Sequence, residues 1–490
     1  MELQFEKSTL DCLATLSCEQ KSVEQTQEVR LADMMGDIGK VLACWGQVLL
    51  RGKEWRGSSM GVNGGVMVWV LYAPEDGSAP QTVETWVPFS MKWDFPESDR
   101  DGYMNVQCLL RCADARTLSA RKLMVRVGIS ALGHAMVPVQ AELAAAQEVP
   151  EDVQLLRRRY PVKLPREAGE KTFQMEETLS APAMEKIIRY EFVPVVTDQK
   201  VMAGKVVFRG IGQLHVLYEA PDGTLKSWDT EVPFSQFSDL EREYDDTAQV
   251  SMTPAVTNLE LDKGEEGALE LKAGLTAQYV VYDMPVVEVV EDAYSPSRPV
   301  GVKTEELQLP MVLDQYREPL RLEQVSSGLG QVVDVSCMTE HPGIHRGTDE
   351  VQLEVPAVFQ VLRTDADGSL QSELLRTQNT LHTSVDGSSR ICADSALTTW
   401  PQAMGGSVHA DGQITVTATA GQGISMVTGL TLGDRTEPDP GRPSLILRRS
   451  RGELLWDLAK ASGSTVDAIR KANGLNNEPE TGKMLLIPVL

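Results

Sequence analysis

A hairpin pattern recurs three times along this chain at nearly constant spacing. Its clearest copy lies between Gln213 and Ser235, where two alternating runs flank the turn Pro221-Asp222-Gly223. Alternation with a period of two predicts strands, and Asp-Gly accepts the positive φ that a tight turn needs. In the earlier copy Tyr72 lies 146 residues before Tyr218, and in the later copy Leu362 lies 145 residues after Leu217.

A second marker predicts the same repeat. The apolar alternation that starts at Leu123 returns 146 residues later at Leu269, and we match it again to Ile414, 145 residues further on. Two independent markers with the same spacing indicate three tandem copies of one domain. The third copy keeps the Asp-Gly turn at Asp367-Gly368 but has no counterpart of the Val-Pro-Phe-Ser run at 232–235.

The repeat defines a mainly β fold class. Many short strands at regular turn spacing predict three β-sandwich-like repeat domains, and the chain of 490 residues is long enough for them and a small further domain. One helix is expected near 143–156. The expected division is an N-terminal segment (1–24), repeat 1 (25–165), repeat 2 (166–305), a divergent repeat 3 (306–433), a proline-rich linker (434–443) and an α+β module (444–490).

Charge and cysteine content limit the function classes. The formal net charge of −24 disfavours nucleic acid and anionic membrane surfaces, which would be repelled. The chain shows no long apolar run and no signal-peptide pattern at its start, so a cytosolic location is expected. The seven cysteines form no C-x-x-C pair, and we expect buried, reduced thiols.

The last 47 residues have a pattern of their own. A short strand at Leu445-Ile446-Leu447 precedes a helix ended by Gly463, a second helix capped by Ser464 or Thr465, and a strand at 484–488. This βααβ order and the runs Leu455-Trp456-Asp457-Leu458-Ala459 and Lys471-Ala472-Asn473-Gly474-Leu475 resemble the LysM family.

The LysM resemblance implies a groove between two loops that binds glycans containing N-acetylglucosamine. The residues that would frame it are Arg451, Gly452, Glu453, Leu454, Asn473, Glu480, Thr481 and Gly482. The family's usual Gly-Asp-Thr is replaced by Gly452-Glu453-Leu454 in the first loop. A purely structural role for these loops, as helix caps and turns, explains the same residues equally well.

The module also differs from the rest of the chain in charge. Residues 444–490 carry a net charge of +2, against −26 for residues 1–443. This difference could attract the module to an acidic surface or reflect ordinary scatter of charge.

The sequence shows no recognisable catalytic signature, so we expect no enzyme, no cofactor and no metal site. The run from Gly128 to Leu132 begins like a nucleophile elbow but lacks its closing glycine, and it falls on a predicted strand. His341 and His345 share a loop without further ligands in the sequence pattern, so we expect solvent-exposed histidines there.

Taken together, the repeated hairpin, the Glu-Asp-Ala-Tyr-Ser-Pro run at 291–296 and the terminal module resemble the SPOCS-domain, LysM-containing spore-coat morphogenetic adaptors of endospore-forming Firmicutes. That resemblance implies a non-enzymatic scaffold of coat assembly at the forespore surface in the mother-cell cytosol. It further implies docking through the LysM module to the coat-basement ATPase and contacts with other coat proteins. The alternative is a cell-envelope protein that binds peptidoglycan or another N-acetylglucosamine glycan.

Overall fold

A computed structural model describes residues 1–96, 98, 100–145, 148–326, 330–347, 350–383, 389–436 and 441–490. Strands dominate the described chain, and its two α-helices lie near the C-terminus, which confirms the predicted fold class. Most strands fall into three units with six successive strand positions each, two of which are split into two strands in unit 3. A short two-stranded sheet and the C-terminal module complete the fold. Unit 1 contains β2 (Glu6–Arg30), β3 (Ile38–Arg56), β4 (Ser59–Pro74), β5 (Gln81–Asp94), β6 (Tyr103–Ser119) and β7 (Lys122–Ala145).

The other two units repeat this order. Unit 2 contains β9 (Leu164–Leu179), β10 (Lys186–Met202), β11 (Lys205–Glu219), β12 (Leu225–Asp239), β13 (Gln249–Lys263) and β14 (Leu269–Asp283). Unit 3 contains β16 (Val300–Val325), β17 (Gln331–Thr339) with β18 (Gly343–Arg346), β19 (Val351–Thr364), β20 (Leu370–Thr383), β21 (Arg390–Leu397) with β22 (Gln402–Met404), and β23 (Ser407–Leu432).

All three units have one antiparallel topology. Strands two, three and four form one sheet in that order, while the last strand lies between the first and the fifth in a second sheet. A short strand, β1 (Glu2–Gln4), also pairs with β23, so the start of the chain is attached to the end of unit 3. The threefold repetition of the sequence is therefore a threefold repetition of fold.

The predicted Asp-Gly turns join the third and fourth strands of every unit. Gly77, Gly223 and Gly368 have φ values of 76°, 79° and 82°, in the left-handed region that favours glycine. The preceding aspartate accepts a hydrogen bond from the backbone N–H two residues later in each copy, at 2.9, 3.0 and 3.0 Å. The three turns share this geometry for a local reason: the aspartate side chain forms the Asx-type hydrogen bond and the glycine accepts the positive φ.

Several boundaries differ from the expected ones. Residues 1–24 are not a separate segment, because β2 is the first strand of unit 1, and the boundaries at 165 and 305 fall inside β9 and β16. We therefore propose units of 6–145, 164–283 and 300–432. The helix expected near 143–156 is wrong within the described residues, where the range contributes to β7 and to β8 (Gln154–Pro161). Residues 146–147 and 437–440, the latter in the expected linker, lie outside the described residues.

The third copy of the second marker was misplaced. Leu123 and Leu269 lie at the start of β7 and β14, whereas Ile414 lies seven residues after Ser407, the first residue of β23. The connection from Thr383 to Arg390 is three residues shorter than that from Asp239 to Gln249 in unit 2. The turn from Met404 to Ser407 is likewise three residues shorter than that from Lys263 to Leu269, and together they shift the last strand of unit 3 toward the N-terminus.

The units pack against one another. The centre of β4 is buried on both faces from Val68 to Tyr72, and β11 is buried in the same way from Leu214 to Tyr218. A strand with one solvated face would alternate instead. One apolar core accordingly joins Trp45 and Leu71 of unit 1 to most of unit 2 and to Leu362 of unit 3.

A buried charged cluster joins units 2 and 3. The Arg189 guanidinium donates to Asp334 Oδ2 at 2.8 and 3.2 Å, and both side chains are fully buried. His215 lies between two carboxylates, with Nε2 2.7 Å from Asp334 Oδ1 and Nδ1 2.5 Å from Asp229 Oδ1. The Trp400 ring of unit 3 stacks on the His215 ring, with 4.2 Å between the ring centroids.

The expectation that all seven cysteines are reduced is wrong. Cys18 of β2 and Cys392 of β21 form a disulfide that links units 1 and 3, 374 residues apart, while Cys12, Cys44, Cys108, Cys112 and Cys337 are free. No spacing rule could reveal the pair, because packing of distant units brings the two strands together.

Candidate functional site: the C-terminal module and its seat

The C-terminal module has the predicted βααβ order. It contains β24 (Leu445–Arg449), α1 (Leu455–Ser462), α2 (Val466–Asn473) and β25 (Met484–Pro488), and the two strands pair antiparallel. Gly463 and Gly474 end the helices with φ values of 61°. The Thr465 side chain accepts a hydrogen bond from Ala468 N at 3.1 Å and caps α2. Local capping chemistry thus explains where α2 begins and where both helices end, whereas α1 begins without a side-chain cap and Leu455 N donates to the distant Glu478 Oε2 at 2.7 Å.

The two loops expected to frame a groove lie side by side. Ser450 N donates to Lys483 O and Gly482 N donates to Ser450 O, both at 2.8 Å. A Cβ placed on Gly452 would lie 3.1 Å from the Thr481 hydroxyl oxygen, so the loops are in contact. Six of the eight predicted site residues are exposed, namely Arg451, Gly452, Leu454, Glu480, Thr481 and Gly482.

The other two predicted residues are used within the module. Asn473 donates from Nδ2 to Ile469 O and to Leu486 O, and its Oδ1 accepts from Leu486 N at 2.8 Å, which fastens α2 to β25. Glu453 accepts from Arg451 N at 2.6 Å and pairs with Arg448 at 3.0 Å. Hydrogen bonds from the backbone amides of Glu453 and Arg451, and the nearby Arg448 charge, lower the pKa of this carboxyl. Both side chains therefore shape the loops.

The module is seated on a two-stranded sheet formed by the segments directly before and directly after unit 2. This seat consists of β8 and β15 (Val286–Tyr294), which pair antiparallel. Trp456 of α1 donates its indole N–H to Asp292 Oδ2 at 2.8 Å, and its ring meets that of Tyr294 edge-on at 4.7 Å. Lys460 pairs with Asp292 at 2.7 Å, and Tyr294 OH donates to Ser464 O at 3.0 Å. Tyr294 thereby belongs to the apolar core of the module.

Asp152 hydrogen-bonds the segment 295–298, where the chain leaves the seat. It accepts from Arg298 Nε at 2.6 Å and from the hydroxyls of Ser297 and Ser295 at 2.8 and 3.1 Å, and Arg435 pairs with it at 3.3 Å. Hydrogen bonds from Arg298 hold the pKa of Asp152 well below its usual range. The run at 291–296 thus carries the seat of the terminal module. The role of this run leaves no signal in the sequence, since nothing local connects Asp292 to Trp456 and Lys460, more than 160 residues away.

The candidate catalytic and metal-binding features of the sequence lie in units 1 and 3. The run from Gly128 to Leu132 lies on β7, as predicted. His345 is exposed, but His341 is buried, so the expectation of solvent exposure is wrong for His341. Burial lowers the pKa of His341 to about 4. Among the described residues, no group of three or more His, Cys, Asp or Glu side chains is placed to hold a metal ion.

This geometry defines a class of protein: a β-rich chain of repeated units that ends in a βααβ module packed against a two-stranded sheet. Comparison with family models gives two matches: the SipL, SPOCS domain over residues 183–263, and the LysM domain over residues 450–488. The chain therefore contains a SPOCS domain, spanning β10 to β13 of unit 2, and a LysM domain. No curated protein and no solved structure matches it.

These two domain types support a sporulation-related adaptor with a terminal module of the glycan-binding kind, and both are non-catalytic families. None of the described helices is long and apolar enough to cross a membrane.

Proposed function

We propose that this protein is a non-enzymatic adaptor of spore-coat assembly that works at the forespore surface in the mother-cell cytosol. The LysM module would dock to the coat-basement ATPase, while the β units would contact other coat proteins. The observation that carries the proposal is the seat, because Trp456 of α1 donates to Asp292 and Tyr294 donates to Ser464 O just after α1, while the two groove loops stay exposed. A module held in one orientation loses less freedom on binding than one on a flexible tether.

Point substitutions in the groove loops test this role better than deletion of the module, which would uncover the apolar seat. We expect the double variant L454E/T481K to lose at least about tenfold in affinity for the purified coat-basement ATPase in a pull-down or calorimetric titration, equivalent to about 1.4 kcal/mol. The matched control is K471E, at an exposed position of α2 outside both loops. Unchanged capture by L454E/T481K, with a normal melting temperature, would reject docking through these loops.

The second candidate is binding of peptidoglycan or another N-acetylglucosamine glycan. The contact between Gly452 and Thr481 favours it, because Thr481 offers a hydroxyl at the edge of the first loop, which itself lacks the family's threonine. Titration of the full chain with chitin oligomers separates the candidates. Saturable binding that T481V weakens while ATPase capture persists would favour the glycan, and absence of heat with retained ATPase capture would favour the protein partner.

A further inference from the structure

The two-stranded sheet of the C-terminal module is covered on one face only. Side chains alternate between the two faces along β24 and β25, and Leu485 and Ile487 on the inner face belong to the core that α1 and α2 complete. The opposite face, which we call the outer face, consists of Leu445, Leu447 and Arg449 of β24 and Met484, Leu486 and Pro488 of β25.

The outer face is apolar and open to solvent. Leu445, Leu447, Met484 and Leu486 are 51%, 63%, 47% and 39% exposed. Leu447 is paired directly across the sheet with Leu486, and Met484 is paired with Arg449, so the four apolar side chains form one patch. Single exposed apolar residues are ordinary, whereas a contiguous apolar patch indicates a surface that another molecule covers.

Arg449 is the one charged residue of the outer face. It is exposed, and within the part of the chain that the structure describes it forms no ion pair. Its neighbour Arg448, on the inner face, pairs with Glu453 at 3.0 Å. The exposed residues Arg451 and Lys483 follow the strand ends beside Arg449 and add positive charge there. A partner with a carboxylate at this end of the face therefore matches its charge.

The dimensions of the outer face suit a helix. Strands of five residues extend about 17 Å and lie about 4.8 Å apart, and a helix about 10 Å wide covers both strands over about three turns. A helix makes its backbone hydrogen bonds internally, whereas an added strand would pair at an edge of the sheet and leave the face open. The edge of β25 is also closed, because Asn473 bonds to both the N–H and the C=O of Leu486.

We propose that the outer face binds an acidic amphipathic helix of a partner protein, whose apolar stripe packs on Leu447 and Leu486 and whose carboxylate pairs with Arg449. A second copy of the chain matches less well, because two outer faces packed together would bring two arginines to the interface without a carboxylate between them. The outer face lies outside the two groove loops, so this site does not rest on the function proposed above.

Two fluorescent helical peptides test the site in the full chain. Both contain about 18 residues, long enough to form helix in water, with leucine along one face; the other face carries glutamate in one peptide and glutamine in the other. In anisotropy titrations at about 0.15 M salt we expect one-to-one binding of the glutamate peptide with a Kd on the order of 10–100 μM. The glutamine peptide should bind at least about threefold more weakly, because it cannot neutralise Arg449. Absence of saturation up to about 1 mM protein, or equal affinity for both peptides, would overturn the proposal.

Substitutions on the outer face separate its apolar and its charged contribution. L447E should weaken binding of the glutamate peptide at least about tenfold, because it places a carboxylate in the middle of the patch. R449E should abolish or reverse the preference for glutamate over glutamine. If L447E does not fold, M484E alters the same patch and should have the same effect. Unchanged binding in a folded variant of either kind would place the peptide elsewhere and reject the site.

β20 of unit 3 offers matched controls. Leu374 is 59% exposed, and the exposed Arg376 follows it by two residues, as Arg449 follows Leu447. Their neighbours on that face are polar, namely Ser372 and Gln378. L374E and R376E should therefore leave both affinities unchanged, and a loss in L374E equal to that in L447E would show that the peptide binds exposed leucines without a specific site.

Sedimentation velocity distinguishes a partner helix from a second copy of the chain. We expect L447E to sediment as the wild type does at the same concentration. A wild-type dimer that L447E dissociates would place a second copy on the outer face and overturn the proposal.

Discussion

At the scale of single residues, the cluster of Arg189, Asp334 and His215 makes stability depend on pH. Burial opposes ionisation of Asp334, but the charges of Arg189 and His215 outweigh it and hold its pKa below the usual range. For His215, burial lowers the pKa, yet Asp334 and Asp229 together raise it above its ordinary value. His215 thus stabilises the fold fully below its unfolded pKa of about 6.5, and this contribution is lost as pH rises through the higher folded value.

We expect H215Q to cost more stability at pH 5.5 than at pH 9, measured as the change in the free energy of unfolding in urea. Burial lowers the pKa of His134 and of His341 to about 4, and these histidines favour the folded state at higher pH, but they are present in both proteins and cancel in the difference. The control H345Q, at an exposed histidine, should show no such trend. A cost for H215Q that is the same at both pH values would contradict the raised pKa.

At the scale of elements, the seat decides how firmly the LysM module is held. Burial disfavours the Asp292 charge, but hydrogen bonds from Lys460 and Trp456 lower the pKa of the carboxyl below its usual value, so it is ionised at neutral pH. D292A removes the shared partner of Trp456 and Lys460 in α1 and should weaken the seating by about 1–2 kcal/mol. We expect faster hydrogen exchange in 441–462 and faster tryptic cleavage after Lys460, which Asp292 no longer holds, with the strands of units 1 to 3 unaffected.

D292N is the matched variant, since its amide oxygen can still accept from Trp456 while the charge for Lys460 is gone. It should lie between the wild type and D292A. Hydrogen exchange in D292A as slow as in the wild type would mean that the contact between Tyr294 and Trp456 alone holds the module.

Some features at this scale could be predicted from the sequence. The Asp-Gly turns and the caps Thr465, Gly463 and Gly474 follow from local chemistry, and the structure reproduces them.

At the scale of the whole molecule, the sequence predicted the repetition and the class of each unit but not the way the units meet. Arg189 and Asp334 are 145 residues apart, and Cys18 and Cys392 are 374 apart. The first separation equals the spacing of the repeat, so Arg189 and Asp334 hold the same position in units 2 and 3, but the spacing does not reveal that the two side chains touch. Both contacts depend on the packing of strands from different units. In the candidate site, the adjacent loops were predictable from a family pattern, whereas the seat at Asp292 was not, for the same reason.

The packing of the units predicts how the chain unfolds. Independent domains would melt separately, but here an apolar core, a buried ion pair and a disulfide connect the three units. We expect the β units to unfold in one calorimetric transition whose van't Hoff and calorimetric enthalpies agree.

D334A leaves the buried Arg189 charge without its principal partner and should lower the free energy of unfolding by about 3–5 kcal/mol. Because this loss falls at the joint between units 2 and 3, D334A should split the transition, with unit 3 melting first, while H345Q should melt as the wild type does. Three separate transitions in the wild type would show that the joints contribute little to stability.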